Sequence, residues 1–145
     1  VTIVLSDDPM KVDRDAVWRL LSTLAYWGRW RSRADVDKQI DCAWRVVGAY
    51  DEHERLVGFA RAVSDGVGFA YLADVIVDPA HRGQGLGTRI VAAMVDDGPG
   101  ADFRWTLFTA DAHGLYERFG FAEPGPTALV RPARGAQAGG RAPAT

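Results

Sequence analysis

The stretch Tyr71 to Val95, YLADVIVDPAHRGQGLGTRIVAAMV, constrains the fold more than any other part of the chain. An apolar run from Tyr71 to Val77 stops at Asp78-Pro79, a basic glycine-rich turn follows, and a helical pattern then runs from Leu86 to Val95. The order is therefore strand, loop, helix. Gly83, Gly85 and Gly87 lack a β-carbon, so the main chain there can approach a ligand closely and aim several N–H groups at one point. That point lies at a helix N-terminus, where unpaired amides and the helix dipole together favour a phosphate or pyrophosphate.

Spacing narrows the ligand. No Lys-Ser or Lys-Thr follows these glycines, which excludes the nucleotide loop G-x-x-x-x-G-K-[ST]. The pattern G-x-G-x-G, in the second half of a short chain with no second strand-helix-strand unit, also fails the dinucleotide fingerprint. What remains is Arg82-x-x-Gly85-x-Gly87, after a strand that ends Val-Asp-Pro and ahead of Leu115-Tyr116-Glu117-Arg118-Phe119-Gly120-Phe121. Together these segments resemble the GNAT superfamily of N-acetyltransferases, with its [Gln/Arg]-x-x-Gly-x-[Gly/Ala] loop and L-Y-x-x-x-G-F element. The resemblance implies that Arg82, Gly83, Gln84, Gly85, Leu86, Gly87 and Thr88 hold the pyrophosphate of acetyl-coenzyme A, a co-substrate rather than a resident cofactor.

The rest of the chain is compatible with that reading. With 145 residues, 48% of them hydrophobic and 25% charged, it is long enough for one soluble domain and too short for two. A net charge of −2 gives no electrostatic reason to expect nucleic acid as a partner. No apolar run approaches a membrane span, and VTIVLSDDPM lacks a basic segment followed by an apolar one, so a cytoplasmic protein without a membrane partner is expected. Cys42 is expected to be a small buried apolar residue, and with three scattered histidines it forms no metal-ligand cluster.

Taken in order, Thr2 to Leu5 reads as a short strand. Asp13 is a good N-cap for a helix striped by Val17, Leu20, Leu21 and Leu24. Ala25 to Arg33 reads as a loop, and Ser32 with Asp35 as a capping box for a second helix whose buried face is Val36, Ile40 and Ala43. Arg45 to Tyr50 and Leu56 to Ser64 form a hairpin around the polar turn Asp51 to Arg55, and Phe69 to Val77, apolar on both faces, is a central strand paired to it. Phe103 to Thr109 is the next strand. A short helix capped by Thr109 or Asp111 follows and runs through Phe119, and a last strand is expected over Thr127 to Val130. The expected architecture is an α/β (α+β mixed) fold like that of the GNAT proteins, with a mixed, mostly antiparallel central sheet and about four flanking helices. It occupies residues 1–130; the Ala-, Gly- and Pro-rich residues 131–145 are expected to be a disordered tail.

Acetyl transfer from a thioester to an amine needs a neutral amine, a stabilised oxyanion and a protonated leaving thiolate. Tyr116 is the candidate for the last, because a phenol of pKa about 10 lies near a thiol of about 8.5. The resemblance implies that backbone amides of Val75, Ile76 and Val77 bond the acyl-pantetheine arm, in a gap where this strand splays from the next. Asp74 is the residue to examine for the amine. A carboxylate inside an apolar strand either faces a polar cleft, where it takes a proton through water or binds ammonium, or is tied to Arg61 or a similar cation. His113, three residues before Tyr116, could relay protons or simply sit in a first helical turn. Thr109 stands where the family often has an Asn that contacts pantetheine. Tyr26, Trp27, Arg29 and Trp30 lie where the family builds its acceptor pocket. Their rings and cations suit an acceptor with an aromatic or carboxylate part, unless they only pack the first helix on the sheet.

The function so implied is transfer of an acetyl group to a primary amine of a small molecule or protein, by direct attack in a ternary complex, since no residue offers itself as a nucleophile. A coenzyme A-binding or regulatory module without turnover is the alternative from another class, and a homodimer is left open. A toxin acting on aminoacyl-tRNA would want a more basic surface.

Overall fold

A computed structural model describes residues 2–25 and 31–134. Its middle layer is a five-stranded sheet in the order β1-β2-β3-β4-β5, formed by β1 (Val4–Ser6), β2 (Arg45–Tyr50), β3 (Leu56–Ser64), β4 (Phe69–Val77) and β5 (Arg104–Thr106). Three of the pairings are antiparallel, and β4 with β5 is parallel. Helices α1 (Arg14–Leu24) and α2 (Arg33–Asp41) cover one face; α3 (Leu86–Met94) and α4 (His113–Glu117) cover the other. The hairpin, the central strand and the mixed sheet are as the sequence predicts.

The alternation of side chains along β2 and β3 divides the core. Val46 and Phe59 pack with Val17, Leu20, Leu21, Val36 and Ile40 of α1 and α2. Their neighbours Val47 and Ala60 pack with Leu86, Ile90, Val91 and Met94 of α3 on the opposite face. Both helices of the first layer are closed at their N-termini by their own side chains. Asp13 accepts from the Ala16 amide at 3.1 Å, and Ser32 and Asp35 form the reciprocal capping box. Asp13→Ala should therefore cost about 1 kcal/mol of unfolding free energy in denaturant melts, with no change in the fold.

Four expectations are corrected. No strand forms over Thr127 to Val130, where Leu129 is 94% exposed; Pro124 and Pro126 remove amide donors on its approach, and Gly125 accepts a turn bond from Ala128 instead. β5 is confined to Arg104–Thr106 rather than running to Thr109, because its pairing with β4 ends at Tyr71↔Thr106. The last helix is shorter than expected: α4 ends at Glu117, and Gly120, in the left-handed region, turns the chain after it. Cys42 is exposed, since it is the C-cap of α2 and lies off the stripe that buries Val36 and Ile40. Residues 135–145 of the expected tail lie outside the described residues, and 131–134 carry no helix or strand.

Candidate active site

The early parting of β4 and β5 opens the site. Pairing joins only Phe69, Tyr71 and the residue between them to β5, and β4 continues alone on that side to Val77. A cavity of about 520 Å³ occupies the gap. Val75, Ile76 and Val77 form one wall, Thr109 to Tyr116 contribute the opposite one, and the glycine-rich loop with the start of α3 closes one end.

That end is built from backbone. Asp78 accepts from the Ala80 amide and starts a single 3-10 turn, Pro79–His81, which delivers the chain to Arg82. Gly83 and Gly85 have φ of 77° and 76°, a conformation that costs other L-residues, and a β-carbon on either would meet no protein atom within 4 Å. The surrounding space is open. In contrast to α1 and α2, α3 has no side-chain cap: Gly85 is its N-cap, and the first helical bond runs from the Arg89 amide to the Gly85 carbonyl at 3.1 Å. The amides of Leu86, Gly87 and Thr88 precede that bond and so have no intrahelical acceptor, at the positive end of the dipole. Of the predicted loop residues, Arg82, Gly83, Gly85, Leu86, Gly87 and Thr88 line the cavity; Gln84 is exposed and does not. Arg82 donates from Nε to the Val77 carbonyl at 3.2 Å, tying the loop back to the end of β4.

Tyr116 faces this loop's cavity from α4. It is 4% exposed and packs edge-on against Phe121, with ring centroids 5.9 Å apart. Among the described residues its hydroxyl makes no hydrogen bond. Burial, and then the nearby charge of Asp111, pushes the phenol up to about 12. This corrects the premise of a phenol near 10 and widens its gap to a thiol. Thr109 also lines the cavity, and its hydroxyl accepts from the Ala112 amide at 3.2 Å, closing the turn into α4. His113 is exposed and does not line the cavity; its Nε2 lies 3.1 Å from the Thr109 carbonyl, which accepts the bond. Leu24, His81, Asp111, Ala112 and Leu115 complete the lining and were not anticipated as site residues. Of these, Leu115 was legible as the apolar neighbour of Tyr116 in the same short helix.

Asp74 stands apart from the cavity, behind its Val75–Val77 wall. Between the pairs Arg61↔Ala73 and Phe59↔Ile76, β4 carries one residue more than β3, and Asp74 takes a positive φ of 55° within that bulge. The bulge turns its carboxylate to the face covered by α1 and α2. There Oδ2 accepts from Arg31 Nη1 at 2.8 Å and from Arg61 Nε at 2.7 Å, and Oδ1 accepts from Arg31 Nη2 at 2.9 Å. The bond to Arg61 is the tie to a cation that the sequence reading weighed for Asp74. Arg31, within the stretch Ala25 to Arg33 that the sequence reads as a loop, is the second partner. Burial alone would raise the carboxyl, but the two guanidiniums outweigh it and hold Asp74 below the usual carboxylate range. The expected acceptor residues Tyr26, Trp27, Arg29 and Trp30 lie outside the described residues.

The model of the acetyltransferase (GNAT) family matches residues 15–121, a span that runs from α1 through β4, the glycine loop and α4. The chain belongs to the GNAT acetyltransferase family. Acetyl transfer is the reaction of GNAT proteins in general, with acetyl-CoA as their usual donor. A Xanthomonas campestris pv. campestris structure assigned to the GNAT acetyltransferases superposes with a TM-score of 0.82 at 35% identity, covering 93% of this chain and 96% of that one. Glucosamine-6-phosphate N-acetyltransferase from Arabidopsis thaliana shares the GNAT fold, at TM-score 0.58 and 13% identity over 90% of this chain and 99% of its own. Among curated relatives, serotonin N-acetyltransferase 2, chloroplastic, of Oryza sativa subsp. japonica is 34% identical over 84 residues, 57% of this chain and 42% of that protein. Histone acetyltransferase TAP1 of Glycine max is 44% identical over 45 residues, 31% of this chain and 20% of that protein. This chain thus spans less than half the length of these curated relatives. Among the described residues no group of three metal-ligating side chains occurs, and no helix is long and apolar enough to cross a membrane.

Proposed function

We propose that this chain transfers an acetyl group from acetyl-CoA to a primary amine, by direct attack in a ternary complex. The observation that carries the proposal is the placement of an uncapped helix N-terminus with open glycines and a buried tyrosine on the same cavity, along the unpaired end of β4. In this reading the amides of Leu86, Gly87 and Thr88 with Arg82 bind the pyrophosphate, the backbone of Val75 to Val77 and Thr109 orient the pantetheine arm, and Tyr116 serves the departing sulfur. His113 is read as closing the first turn of α4, and Asp74 as holding the sheet bulge through its arginines; the amine then loses its proton to solvent. Nitrogen as the acceptor atom is favoured by the rice relative, which is named as an N-acetyltransferase.

The test is thiol release from acetyl-CoA across a broad amine library. Release that depends on the amine supports transfer, whereas coenzyme binding without release on any amine would make the chain a coenzyme A-binding module. The loop has its own test. Gly85→Asp should lower coenzyme A affinity by at least about 10-fold in calorimetry, because it sets a carboxylate where the helix terminus attracts an anion. Asp tolerates positive φ better than most residues, so the fold should persist. Unchanged affinity would put the pyrophosphate elsewhere.

A further inference from the structure

His81 is a titratable side chain on the cavity that the acetyl-transfer chemistry above leaves without a task. It ends the single 3-10 turn Pro79–His81, and its backbone amide donates to the Asp78 carbonyl at 2.9 Å, which holds it between the end of β4 and the glycine loop. Its side chain lines the cavity together with Arg82 and Gly83. That end of the cavity is otherwise built from backbone, apart from Arg82, whose Nε is engaged by the Val77 carbonyl.

The two ring nitrogens of His81 differ in their surroundings. Nδ1 is fully enclosed and has no hydrogen-bond partner among the described residues. Nε2 has no partner there either, but it is not enclosed. A neutral imidazole carries one donor and one acceptor, and the surroundings decide which nitrogen holds the proton. A proton on Nδ1 would be an N–H shut off from both water and any acceptor, an arrangement that is costly and rare in folded proteins. The proton therefore belongs on Nε2, the nitrogen that water or a ligand can reach.

We infer that His81 is a side-chain member of the coenzyme site, and that its Nε2–H donates to an oxygen of the pyrophosphate held by the glycine loop. The inference rests on the coenzyme reading of the cavity and adds a residue to it. His81 enters the cavity from the loop end, where the uncapped start of α3 already favours an anion. The facing wall is unfavourable to one, because Asp111 lines it with a carboxylate. A hydrogen bond to an ionised oxygen is roughly twice as strong as one between neutral groups, so an uncharged imidazole is a sufficient donor.

The experiment measures binding of coenzyme A, dephospho-coenzyme A and pantetheine to wild type, His81→Leu and His81→Gln. Leu keeps the bulk and removes the donor, whereas Gln returns a donor at a similar reach. His81→Leu should weaken coenzyme A and dephospho-coenzyme A by the same factor, about 10- to 100-fold in calorimetry, as for loss of a hydrogen bond to a charged group. Pantetheine, which carries no phosphate, should bind wild type and variant alike in NMR titrations, and His81→Gln should recover most of the lost affinity. Equal weakening of all three ligands would make His81 a residue that only shapes the loop, and a loss confined to coenzyme A would move its contact to the 3′-phosphate; either overturns the inference. Unchanged coenzyme A affinity in His81→Leu also overturns it, while leaving the coenzyme reading in place. A wild-type chain that binds no coenzyme A overturns both. A spectroscopic arm keeps the native His81. With His53 and His113 replaced by Gln, His81 is the sole histidine, and nitrogen-15 labelling of it should show an Nε2 proton sheltered from exchange when coenzyme A is added but not when pantetheine is. No sheltered proton with coenzyme A, or one with both ligands, overturns the inference even if His81→Leu does not fold.

Discussion

Tyr116→Phe should lower kcat by about 10²- to 10⁴-fold at neutral pH, the usual range for loss of a general acid, while coenzyme A affinity and melting temperature barely move. The two halves of this expectation have separate structural grounds. The hydroxyl makes no hydrogen bond among the described residues, so its removal breaks no bond, and the ring that packs against Phe121 is kept. The kinetic half depends on the phenol being the donor to the leaving sulfur. With its pKa pushed up to about 12 by burial and Asp111, the phenol stays protonated over the whole working range. Activity that needs the protonated form is lost only as pH rises through that value. The wild-type kcat profile should therefore show no basic limb from Tyr116 below about pH 11. An unaltered kcat in the Phe variant would pass the role to water, and a basic limb near pH 9 that disappears in that variant would show a phenol far more acidic than its burial allows.

The raised phenol marks the boundary of what the sequence can say. The two segments were legible from local signals, glycines at fixed spacing after an apolar strand and a short helix stopped by Gly120, and it was the GNAT resemblance that implied Tyr116 and the loop serve one site. The pKa of Tyr116 was not legible, because desolvation depends on how α4 packs against α3 and β4. The same division runs through the fold. The ends of β2, β3 and β4 follow from the polar turn Asp51 to Arg55 and the turn at Ser64 to Gly66, and the two capped helices follow from Asp13 and Ser32. The extent of β5 and the absence of a strand at Thr127 to Val130 depend on whether a neighbouring edge is offered, which is a tertiary fact. The bulge at Asp74 left no compositional trace, since the residue with positive φ is not a glycine. Arg61 could be suspected as its partner as another charge within the sheet. Arg31, 43 positions away at the approach to α2, could not.

Asp74→Ala should destabilise the fold by about 3–5 kcal/mol, the effect of removing one partner from a buried ion pair and leaving the other charges uncompensated. For a domain of this length that is a fall in melting temperature on the order of 10–20 °C. Part of the loss has a different origin, because Ala tolerates the left-handed backbone at this position less well than Asp does. Asp74→Asn separates the contributions: it keeps the shape and the tolerance of positive φ, and it removes only the charge that Arg31 and Arg61 share. Most of the destabilisation should survive in the Asn variant. The pH dependence has a definite sign. The folded-state pKa of Asp74 lies below its unfolded value, so its stabilisation is complete above about pH 4 and is lost as pH falls through the folded value. Denaturant melts of wild type and Asp74→Asn should accordingly differ by a constant amount from pH 8 to about pH 5 and converge only in stronger acid. If Asp74→Asn stayed within about 1 kcal/mol of wild type at neutral pH, the arginine–aspartate cluster would not be what fastens the approach to α2 onto the bulge of β4.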